Sequence, residues 1–570
     1  MSEADFLLGE WRIRPGHNTI DRGGKSTRLE ARLMRVLCCL ARHGSEAVSK
    51  DTLVKEVWNQ RFASDEVVAK SISELRRVFE DDARQPRMVQ TIPKVGYRLL
   101  AAAVWLRAPR PPTKVMLAVL PFENLGPERD KEYVSDGMTE EIIAGLGRLQ
   151  PEKLGVIART TAMIYKRSGK TIKKIAEELG VEFVLEGSVR MAGLRTRVTA
   201  QLIAANDETH VWAETYERDS SDVLAVQREI AARVAREIQR GLLRDMRVEK
   251  QPVNPAAHDF YLKGRFFWNK RTAGDLALAV NYFRKAVECE PTYAVARCGL
   301  ADAYNMLGYW LAAPPGEVFP LAKAEARRAL EIDPDLAEAH ASLAYAQFEY
   351  DWNWRAAGER YRRALELNAN CVVARQWYAE YLGLTGQMAA LDEQLKLALT
   401  LDPLSLPLAM VQASVSYMLR RYEESLQKLR SILQMDENFV LAHFLTGAVH
   451  SRLAQNEEAV AAWARGLLLS GYPKESLSVL RRAFEKKGIK GYWQAELEIL
   501  QRQAQEQYVS PILIAMDAAQ LGKTDEALRW LEAACKERCG WLLELHIDPV
   551  WDPIRGHSRF KKLLRQIGLP

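Results

Sequence analysis

Cysteine is scarce in this chain, which has seven cysteines among 570 residues. Because their number is odd and their positions are scattered, they fit a reducing compartment better than a disulfide framework. Long apolar runs are also missing, and no stretch reaches the roughly 18 apolar residues of a membrane span. Glu3, Asp5 and Glu10 precede any apolar run, so no secretory signal is visible. We therefore expect a cytoplasmic protein.

Hydrolase motifs are absent too, since the sequence contains neither HExxH nor a serine within GxSxG. Two stretches, 23–27 (GGKST) and 168–171 (SGKT), imitate phosphate-binding loops. Each lacks the first glycine of that motif, because Thr19 and Ile164 occupy its place. Both stretches are therefore interpreted as turns. We expect no enzymatic activity and no cofactor.

A metal site would have to use the cysteines and histidines near the end of the chain. Cys535 and Cys539 are four residues apart, and His546 and His557 follow. Such a pair on a predicted helix, without a second pair at finger spacing, is more typical of core cysteines than of zinc ligands. The sequence therefore predicts no metal.

The charge of the chain is distributed unevenly. Residues 1–112 hold 20 Lys/Arg against 14 Asp/Glu, whereas the remaining residues hold 60 of each, so the net charge of +6 lies within the first part. Basic charge concentrated in this way favours association with polyanions and makes it sensitive to salt. A chain of this length should divide into three or four domains.

The stretch 64–97 carries the most information about function. Val68, Ile72, Leu75 and Phe79 recur at helical spacing and predict one buried helix face. The opposite face carries polar and charged residues: Lys70, Ser73, Glu74 and Arg77. Residues 89–98 then predict a β-hairpin with Pro93, Lys94 and Gly96 at its bend. A recognition helix followed by a wing fits this pattern.

The first hundred residues resemble the winged helix-turn-helix of OmpR/PhoB-type response regulators. The motifs that carry the resemblance are Val48-Ser49, Leu53, Val57-Trp58, Ile72-x-x-Leu75-Arg76-Arg77 and Gly96-Tyr97-Arg98. The resemblance implies an α+β domain at 1–105, opened by a small antiparallel sheet, with a first helix at 30–43. It also implies the DNA-binding set Lys50, Lys70, Ser73, Glu74, Arg76, Arg77, Lys94 and Arg98.

Within that set, the resemblance assigns different parts of the DNA to different residues. The major groove would be faced by Lys70, Ser73, Glu74 and Arg77. Lys50 and Arg76 would contact phosphates, and Lys94 would reach an adjacent minor groove. Glu74 could accept from a cytosine amine or pair with Lys70 or Arg77. Arg77 and Lys94 are the stronger candidates.

A proline-rich, basic linker is predicted at 106–113, and a small α/β domain follows at 114–245. Its strands and helices alternate early, and a meander of strands comes late. The motifs LAVLPFENL, DGMTEEI, IAEELG, VLEGSVR, RVTAQLI and HVWAETYER resemble the TolB-like domain found beside bacterial transcription regulators.

From about residue 256 the chain repeats itself with a period of 34, which predicts a tetratricopeptide superhelix at 256–540 with a cap at 541–570. The first repeat is longer than 34 residues, and we expect its additional residues in a long turn at 310–319. The repeat register predicts a partner groove that mixes aromatic and polar residues, including Asp302, Asn305, Tyr345, Phe348, Gln376 and Tyr417. A protein or peptide partner is therefore expected.

The order of the three domains resembles the HilA-type and CadC-related transcriptional regulators of bacteria. The resemblance implies a one-component regulator that binds double-stranded promoter DNA, faces RNA polymerase through residues 58–64 and forms a possible homodimer. No room for a receiver domain is seen before residue 6, and no membrane partner is expected. Two alternatives stay open: a scaffold that does not bind DNA, and a nucleotide cyclase-like enzyme.

Overall fold

The structure, a computed structural model, describes a large part of the chain. The described residues are 6–9, 11–15, 19–22, 25–42, 47–58, 65–93, 95–101, 103–105, 114–126, 131–149, 151–192, 195–219, 223–238, 253–270 and 272–568. They fall in two compact units, Met1–Thr113 and Lys114–Pro570, and each unit is described by itself. Residues 106–113, predicted to be a linker, lie outside the described residues.

The first unit combines helices with short antiparallel strands. Its elements are β1 (Phe6–Leu8), β2 (Trp11–Arg14), β3 (Thr19–Arg22), β4 (Lys25–Arg28), α1 (Ala31–Arg42), β5 (Val48–Ser49), α2 (Lys50–Trp58), α3 (Asp65–Phe79), β6 (Val89–Ile92), β7 (Gly96–Leu99) and β8 (Ala103–Trp105). One sheet has the order β4-β3-β2-β1-β8, and the other has the order β5-β7-β6. The predicted opening sheet, first helix, recognition helix and hairpin are all present.

Helix α3 packs on the core of this unit through the face that its periodicity predicts. Val68, Ile72, Leu75 and Phe79 are all buried, together with residues of α1 and α2. At the end of α3, the ring of Phe79 meets Trp11 of β2 edge to face, with ring centroids 5.3 Å apart. The opening sheet therefore supports the C-terminal end of α3.

Gly96 is needed where the wing meets the short strand β5. It pairs with Ser49, and a Cβ atom at position 96 would lie 1.9 Å from the carbonyl oxygen of Val48. That atom belongs to the backbone and cannot swing aside as a flexible side chain would. The glycine in the motif Gly96-Tyr97-Arg98 is thus explained by close approach of two backbones.

We expect Gly96→Ala to destabilise the first unit by about 1–3 kcal/mol, the usual cost of forcing an added group into a packed site. Hydrogen exchange on the full chain would show this as lost protection of β5, β6 and β7. Val95→Ala is the matched control, because Val95 is adjacent and 48% exposed. Equal protection in the two variants would contradict the steric explanation.

The second unit begins with an α/β arrangement. Its elements are β9 (Val115–Val119), β10 (Glu123–Asn124), α4 (Glu132–Leu149), β11 (Leu154–Val156), α5 (Arg159–Ile164), α6 (Ile172–Leu179), β12 (Phe183–Ala192), β13 (Arg195–Ala204), β14 (His210–Asp219) and α7 (Val223–Ile238). The sheet order is β11-β9-β12-β13-β14, and β10 also pairs with β12. Strands β11, β9 and β12 run parallel, whereas β12, β13 and β14 form an antiparallel meander.

Helices cover both faces of this sheet because alternate residues of its strands point to opposite sides. Leu185 lies in a cluster with Ile142 of α4 and Ile230 of α7. Its neighbour Val184 lies in a second cluster with Ile175 of α6. The sheet is thus the middle layer of a three-layer arrangement.

The stretch SGKT at 168–171 leads into α6, with Thr171 as the helix cap, and is not a phosphate-binding loop. The Thr171 hydroxyl accepts a hydrogen bond from the Lys174 amide at 3.3 Å, which caps the helix. The Lys170 ammonium pairs with Glu178 at 2.8 Å. Gly180 ends the helix with a φ of +64°, the left-handed conformation typical of a helix C-terminus.

The rest of the second unit is helical. Its helices are α8 (Pro255–Trp268), α9 (Ala273–Cys289), α10 (Ala294–Tyr309), α11 (Pro315–Ile332), α12 (Ala337–Glu349), α13 (Trp354–Leu367), α14 (Val372–Leu384), α15 (Met388–Leu401), α16 (Leu406–Met418), α17 (Tyr422–Met435), α18 (Val440–Arg452), α19 (Asn456–Leu469), α20 (Lys474–Gln503), α21 (Pro511–Gln520), α22 (Thr524–Glu537) and α23 (Ser558–Ile567). Helix α20 is broken at Gly488, where φ is +64°. Among the described residues, the helices are too short or too polar to span a membrane.

Successive helices from α8 to α19 pair as antiparallel hairpins. The small residues at the repeat positions, Ala286, Ala329, Ala364 and Ala398, are completely buried, so the helices approach closely there. The predicted long turn at 310–319 is largely wrong, because Pro315 begins α11. Instead the extra residues lengthen the helices: α10 and α11 have 16 and 18 residues, whereas α12 and α13 have 13 and 14.

Asn370 joins the α/β region to the repeats. Its amide nitrogen donates to the carbonyl oxygens of Gly147 at 3.0 Å and Leu154 at 2.8 Å, and its amide oxygen accepts from the Lys114 ammonium at 3.2 Å. A second contact is made by Asp402, whose carboxylate accepts from the Thr161 amide at 3.0 Å. These bonds connect the helix-to-helix turns of the repeats with the edge of the α/β region.

Replacing Asn370 by Ala should destabilise this junction by about 1–3 kcal/mol, since two buried carbonyl groups lose their donor. The repeats offer a matched control in Asn438→Ala, because Asn438 stands two 34-residue periods later but bonds Arg465 instead. Hydrogen exchange of α4 and β11 in the full chain measures the difference. Identical exchange in both variants would show that Asn370 does not hold the junction.

Candidate nucleic-acid interface

The face of α3 opposite the core presents the predicted DNA-contacting residues. Lys70, Ser73 and Arg77 are exposed, and Glu74 is half-buried. They follow one another at helical spacing along a 15-residue helix, so their side chains share a surface. This surface offers two cationic groups, a hydroxyl and a carboxylate, which are donor and acceptor types that read base edges.

The wing is fastened to the end of α3 by hydrogen bonds. The guanidinium of Arg76 donates to the Val89 carbonyl oxygen at 2.8 and 3.1 Å and to the Thr91 hydroxyl at 2.9 Å. The Asp81 carboxylate accepts from the backbone amides of Arg87 at 2.6 Å and Val89 at 2.9 Å. The first strand of the wing is therefore held at a fixed place relative to the helix.

The sequence predicts Arg76 as a phosphate contact, whereas in the structure its guanidinium binds the wing. Its guanidinium is engaged within the protein because the start of β6 passes beside the last turn of α3. Arg98 is also engaged, since it donates to the Gln90 side chain of the neighbouring strand at 2.5 and 3.2 Å. It keeps a partly exposed side chain.

Two further predicted residues lie at the edges of this surface. Lys50 is the first residue of α2 and is half-buried; the Ser49 hydroxyl before it accepts from the Thr52 amide at 3.0 Å. Lys94 lies outside the described residues, as do residues 59–64 of the turn predicted to face RNA polymerase. The structure therefore brings together the residues of α3, whereas Lys94 of the wing is not among the described residues.

Most residues of the predicted partner groove are buried or bonded within the second unit. Asn305 and Phe348 are completely buried between helices, so they present no surface to a partner. Asp302 is also buried; it accepts from the Ser342 hydroxyl and lies 3.9 Å from the Arg265 guanidinium. The Tyr417 hydroxyl donates to Asp548 of the chain's own C-terminal segment at 3.1 Å. Of the predicted set, Tyr345 and Gln376 line one cavity, and Asp302 and Gln376 line a second, smaller one.

The cysteines that could have formed a metal site behave as core residues. Cys535 and Cys539 are both buried, and neither is in a disulfide. Burial raises the pKa of the Cys539 thiol to about 12. Among the described residues, no group of three histidine, cysteine, aspartate or glutamate side chains is arranged to hold a metal ion.

Two domain families match this chain. Residues 24–99 match the family described as transcriptional regulatory protein, C terminal, and residues 113–233 match the second domain of HilA/YgeH-like transcriptional regulators. The chain carries an OmpR/PhoB-type DNA-binding domain and a HilA-like domain. The first of these contains α3 and the wing.

Three curated relatives are similar to parts of this chain. CadC, a transcriptional activator of Escherichia coli (strain K12), is 39% identical over 106 residues, 18% of this chain and 21% of CadC. The transcriptional regulator HilA of Salmonella typhimurium is 23% identical over 384 residues, 67% of this chain and 68% of HilA. Putative adenylate cyclase 3 of Rhizobium meliloti is 32% identical over 243 residues, 42% of this chain and 41% of the cyclase. The chain thus spans less than half of CadC and of the cyclase.

Among the solved structures to which this chain is similar is YrrB, described as a TPR protein with an unusual peptide-binding site. The two are 16% identical, the likeness covers 35% of this chain and 97% of YrrB, and the TM-score is 0.23. This likeness concerns the fold alone.

Sequence reasoning missed the role of Asp81 in this site. The available signal was an acidic run at 80–82, directly after the end of a helix whose last turn is basic. Local pattern cannot show that the chain returns eight residues later to place the Val89 amide on that carboxylate. The fixed position of the wing is therefore a tertiary feature.

Replacing Asp81 by Ala should loosen the wing from α3, because two backbone amides lose a charged acceptor, at a cost of about 1.5–3 kcal/mol. We expect faster hydrogen exchange at Arg87 and Val89, with α3 itself unchanged. Asp82→Ala is the control, since its carboxylate bonds only the nearby Arg84 amide among the described contacts. The assignment fails if both variants leave exchange at Val89 unaltered.

Proposed function

We propose that this chain is a sequence-specific, DNA-binding transcription regulator that reads double-stranded promoter DNA through residues 1–105. The observation that carries the proposal is the exposed row of Lys70, Ser73 and Arg77 on α3, beside a wing fastened to the same helix. This arrangement lies within the part of the chain that matches the DNA-binding family. The relation to CadC and HilA supports it further.

In this proposal α3 enters the major groove. Arg77 makes the principal base contact, while Lys70 and Ser73 contribute hydrogen bonds and Glu74 accepts from a cytosine amine. Lys50, the first residue of α2, contacts a phosphate. Lys94 and Arg98 contribute from the wing. Arg76 serves mainly to hold the wing in place.

The second unit is proposed to act as sensor or docking platform. Its α/β region supports the assignment to the TolB-like domains through the order of its strands and helices. The repeats would bind a protein or peptide partner, or support a homodimer on adjacent direct-repeat half-sites. The same proposal includes contact of residues 58–64 with RNA polymerase. It also includes a cytoplasmic location and the absence of enzymatic activity.

Replacing Arg77 by Ala should weaken binding to the promoter site by about 1–3 kcal/mol, the value of a good bidentate contact to a base. Binding to random DNA should change much less, because only the phosphate term remains there. Arg35→Ala removes the same charge from an exposed position on α1 and serves as the control. Gel-shift titrations at fixed salt compare the three proteins on both DNAs.

Two outcomes would overturn this assignment. An equal loss on promoter and random DNA would make Arg77 a general electrostatic contact. Binding that does not weaken as salt is raised would favour the alternative of a scaffold that does not bind DNA, since contact with phosphates releases counterions.

A second candidate function comes from one observation, the relation to putative adenylate cyclase 3. It ranks below the regulator because the match covers 41% of that cyclase, whereas both matched domain families are named for transcriptional regulators. Incubating the purified chain with ATP and Mg²⁺ or Mn²⁺ and measuring cyclic AMP distinguishes the two. Product formation above that of a heat-denatured sample would favour the cyclase.

A further inference from the structure

The second unit contains a cavity of about 830 Å³. Its wall is built by helices α5, α10, α12, α14, α15, α16 and α18, and by residues 544–547 near the C-terminus. Sites for small organic molecules in proteins have volumes of about 300–1,000 Å³. The cavity is therefore large enough for such a molecule.

Helix α16 has the composition of a helix that is buried on all sides. Its sequence, LPLAMVQASVSYM, contains no charged residue, and a helix that is apolar all round is normally packed all round. One side of α16 follows this rule, since Leu408 and Ala413 are completely buried. The side that lines the cavity is only half-buried, although it carries Leu406, Met410, Val415 and Met418. This apolar side is available to a ligand.

The helices around α16 add further apolar side chains to the same wall. Helices α14 and α15 and the start of α18 contribute aliphatic, thioether and aromatic groups, which include Leu384, Met388, Leu391, Phe439, Val440 and Leu441. Hydrocarbon groups leave water for such surroundings through the hydrophobic effect. The wall therefore favours a ligand with a hydrocarbon body.

Aromatic rings form another part of the wall. The rings of Tyr345 and Trp377 lie 4.6 Å apart, and Tyr309 meets Tyr345 edge to face with ring centroids 6.4 Å apart. All three residues line the cavity. Aromatic side chains offer large apolar areas, so this part of the wall also suits hydrocarbon groups.

Polar side chains from α12, α14 and the C-terminal segment also reach the cavity, among them Glu349, Gln376, Glu380 and Glu544. The Gln376 amide donates to the Glu380 carboxylate at 3.0 Å. Burial, followed by repulsion from Asp548 and Glu380, raises the pKa of Glu544 to about 8. The carboxyl group of Glu544 therefore holds its proton at pH 7 and can donate a hydrogen bond to a ligand.

The cavity is open to solvent beside the C-terminal end of α16. Leu419, which directly follows this helix, lines the cavity and is 44% exposed. Asn438, in the turn before α18, also lines the cavity and is exposed. A ligand can therefore reach the apolar side of α16 from solvent.

We propose that this cavity binds an uncharged organic molecule with a hydrocarbon body and one hydrogen-bonding head group, such as an alcohol, an ester or an amide. The body lies along the half-buried side of α16, and the head lies near Glu544 and Gln376. A charged ligand is disfavoured, because a mostly apolar wall does not replace the water that a charged group gives up.

The inference gives a chemical class to the effector of the second unit, and it rests on the proposed sensor function for that role alone. Ligand binding is measured without DNA. Its failure is therefore distinguishable from a failure of the DNA-binding proposal, which the Arg77 variant tests without a ligand.

The contribution of the hydrocarbon body is measured by calorimetric titration of the full chain with n-hexanol, n-octanol and n-decanol. Each added methylene group should tighten binding about fourfold, the usual value for moving such a group out of water. Binding that does not saturate, or an affinity that does not depend on the length of the alcohol, would overturn the proposal.

A second series tests the charge of the head group. The ligands n-octanol, n-octanoate and n-octylamine at pH 7 carry the same body with a neutral, a negative or a positive head. We expect octanol to bind at least about tenfold more tightly than either ion, because only the ions lose the hydration of a charge. Equal affinities, or tighter binding of octanoate or octylamine, would show that the ligand is not uncharged.

The variant Ser414→Trp assigns the binding to this cavity, because Ser414 lines it from α16 and an indole there would occupy the place of the hydrocarbon body. Decanol affinity should fall at least about tenfold, since moving even two methylene groups away from the wall costs about that much. Gln412→Trp is the matched control, because Gln412 is half-buried on the same helix and is not among the lining residues.

Circular dichroism checks the fold of both variants. Should Ser414→Trp lose its helical signal, Met410→Trp carries the same expectation, because Met410 lines the cavity one turn earlier on α16. A folded variant that binds decanol as tightly as the unchanged chain would overturn the proposed site, and so would an equal loss in Gln412→Trp.

Discussion

The second unit depends on one constraint: a helical hairpin cannot bury its own apolar face and must pack against a neighbour. The buried alanines of the repeats, Ala286, Ala329, Ala364 and Ala398, show how closely these helices approach. The constraint also applies to the exposed sides of the array. The α/β region covers one side through Asn370 and Asp402, and the segment 540–554 covers the concave side. A cavity of about 830 Å³ remains between the repeats, α5 and residues 544–547.

Buried charge is treated differently in two places of the second unit. At the junction with the α/β region, burial acts to raise the pKa of Glu140, but Arg265 and Arg159 hold it below its ordinary value. In the cavity, Glu349 and Glu544 face other carboxylates, and their pKa values are raised. Paired charges of the first kind fix the arrangement of elements. Carboxyl groups of the second kind bind their protons more tightly than exposed ones do.

The first unit shows how one helix can serve stability and recognition together. Helix α3 gives its apolar face to the core and keeps Lys70, Ser73 and Arg77 exposed on the other. The residues between these faces have a third role: Arg76 in the last turn, with Asp81 just beyond it, holds the wing. The proposed reading of DNA needs helix and wing in a fixed relative position, and the bonds of Arg76 and Asp81 supply it.

The sequence by itself determined the elements of this protein: the amphipathic helix at 64–79, the hairpin at 89–98 and the 34-residue repeats. These follow from local periodicity, because helix and strand faces are set by residues close in the chain. Only the tertiary structure decided which of the positions predicted to be exposed are exposed in the folded chain. It turned Arg76 to the Val89 carbonyl, buried Asn305 and Phe348, and brought Glu349 and Glu544 from distant segments into one cavity. Contacts between such distant residues depend on how whole helices and strands pack. No local sequence pattern encodes that packing.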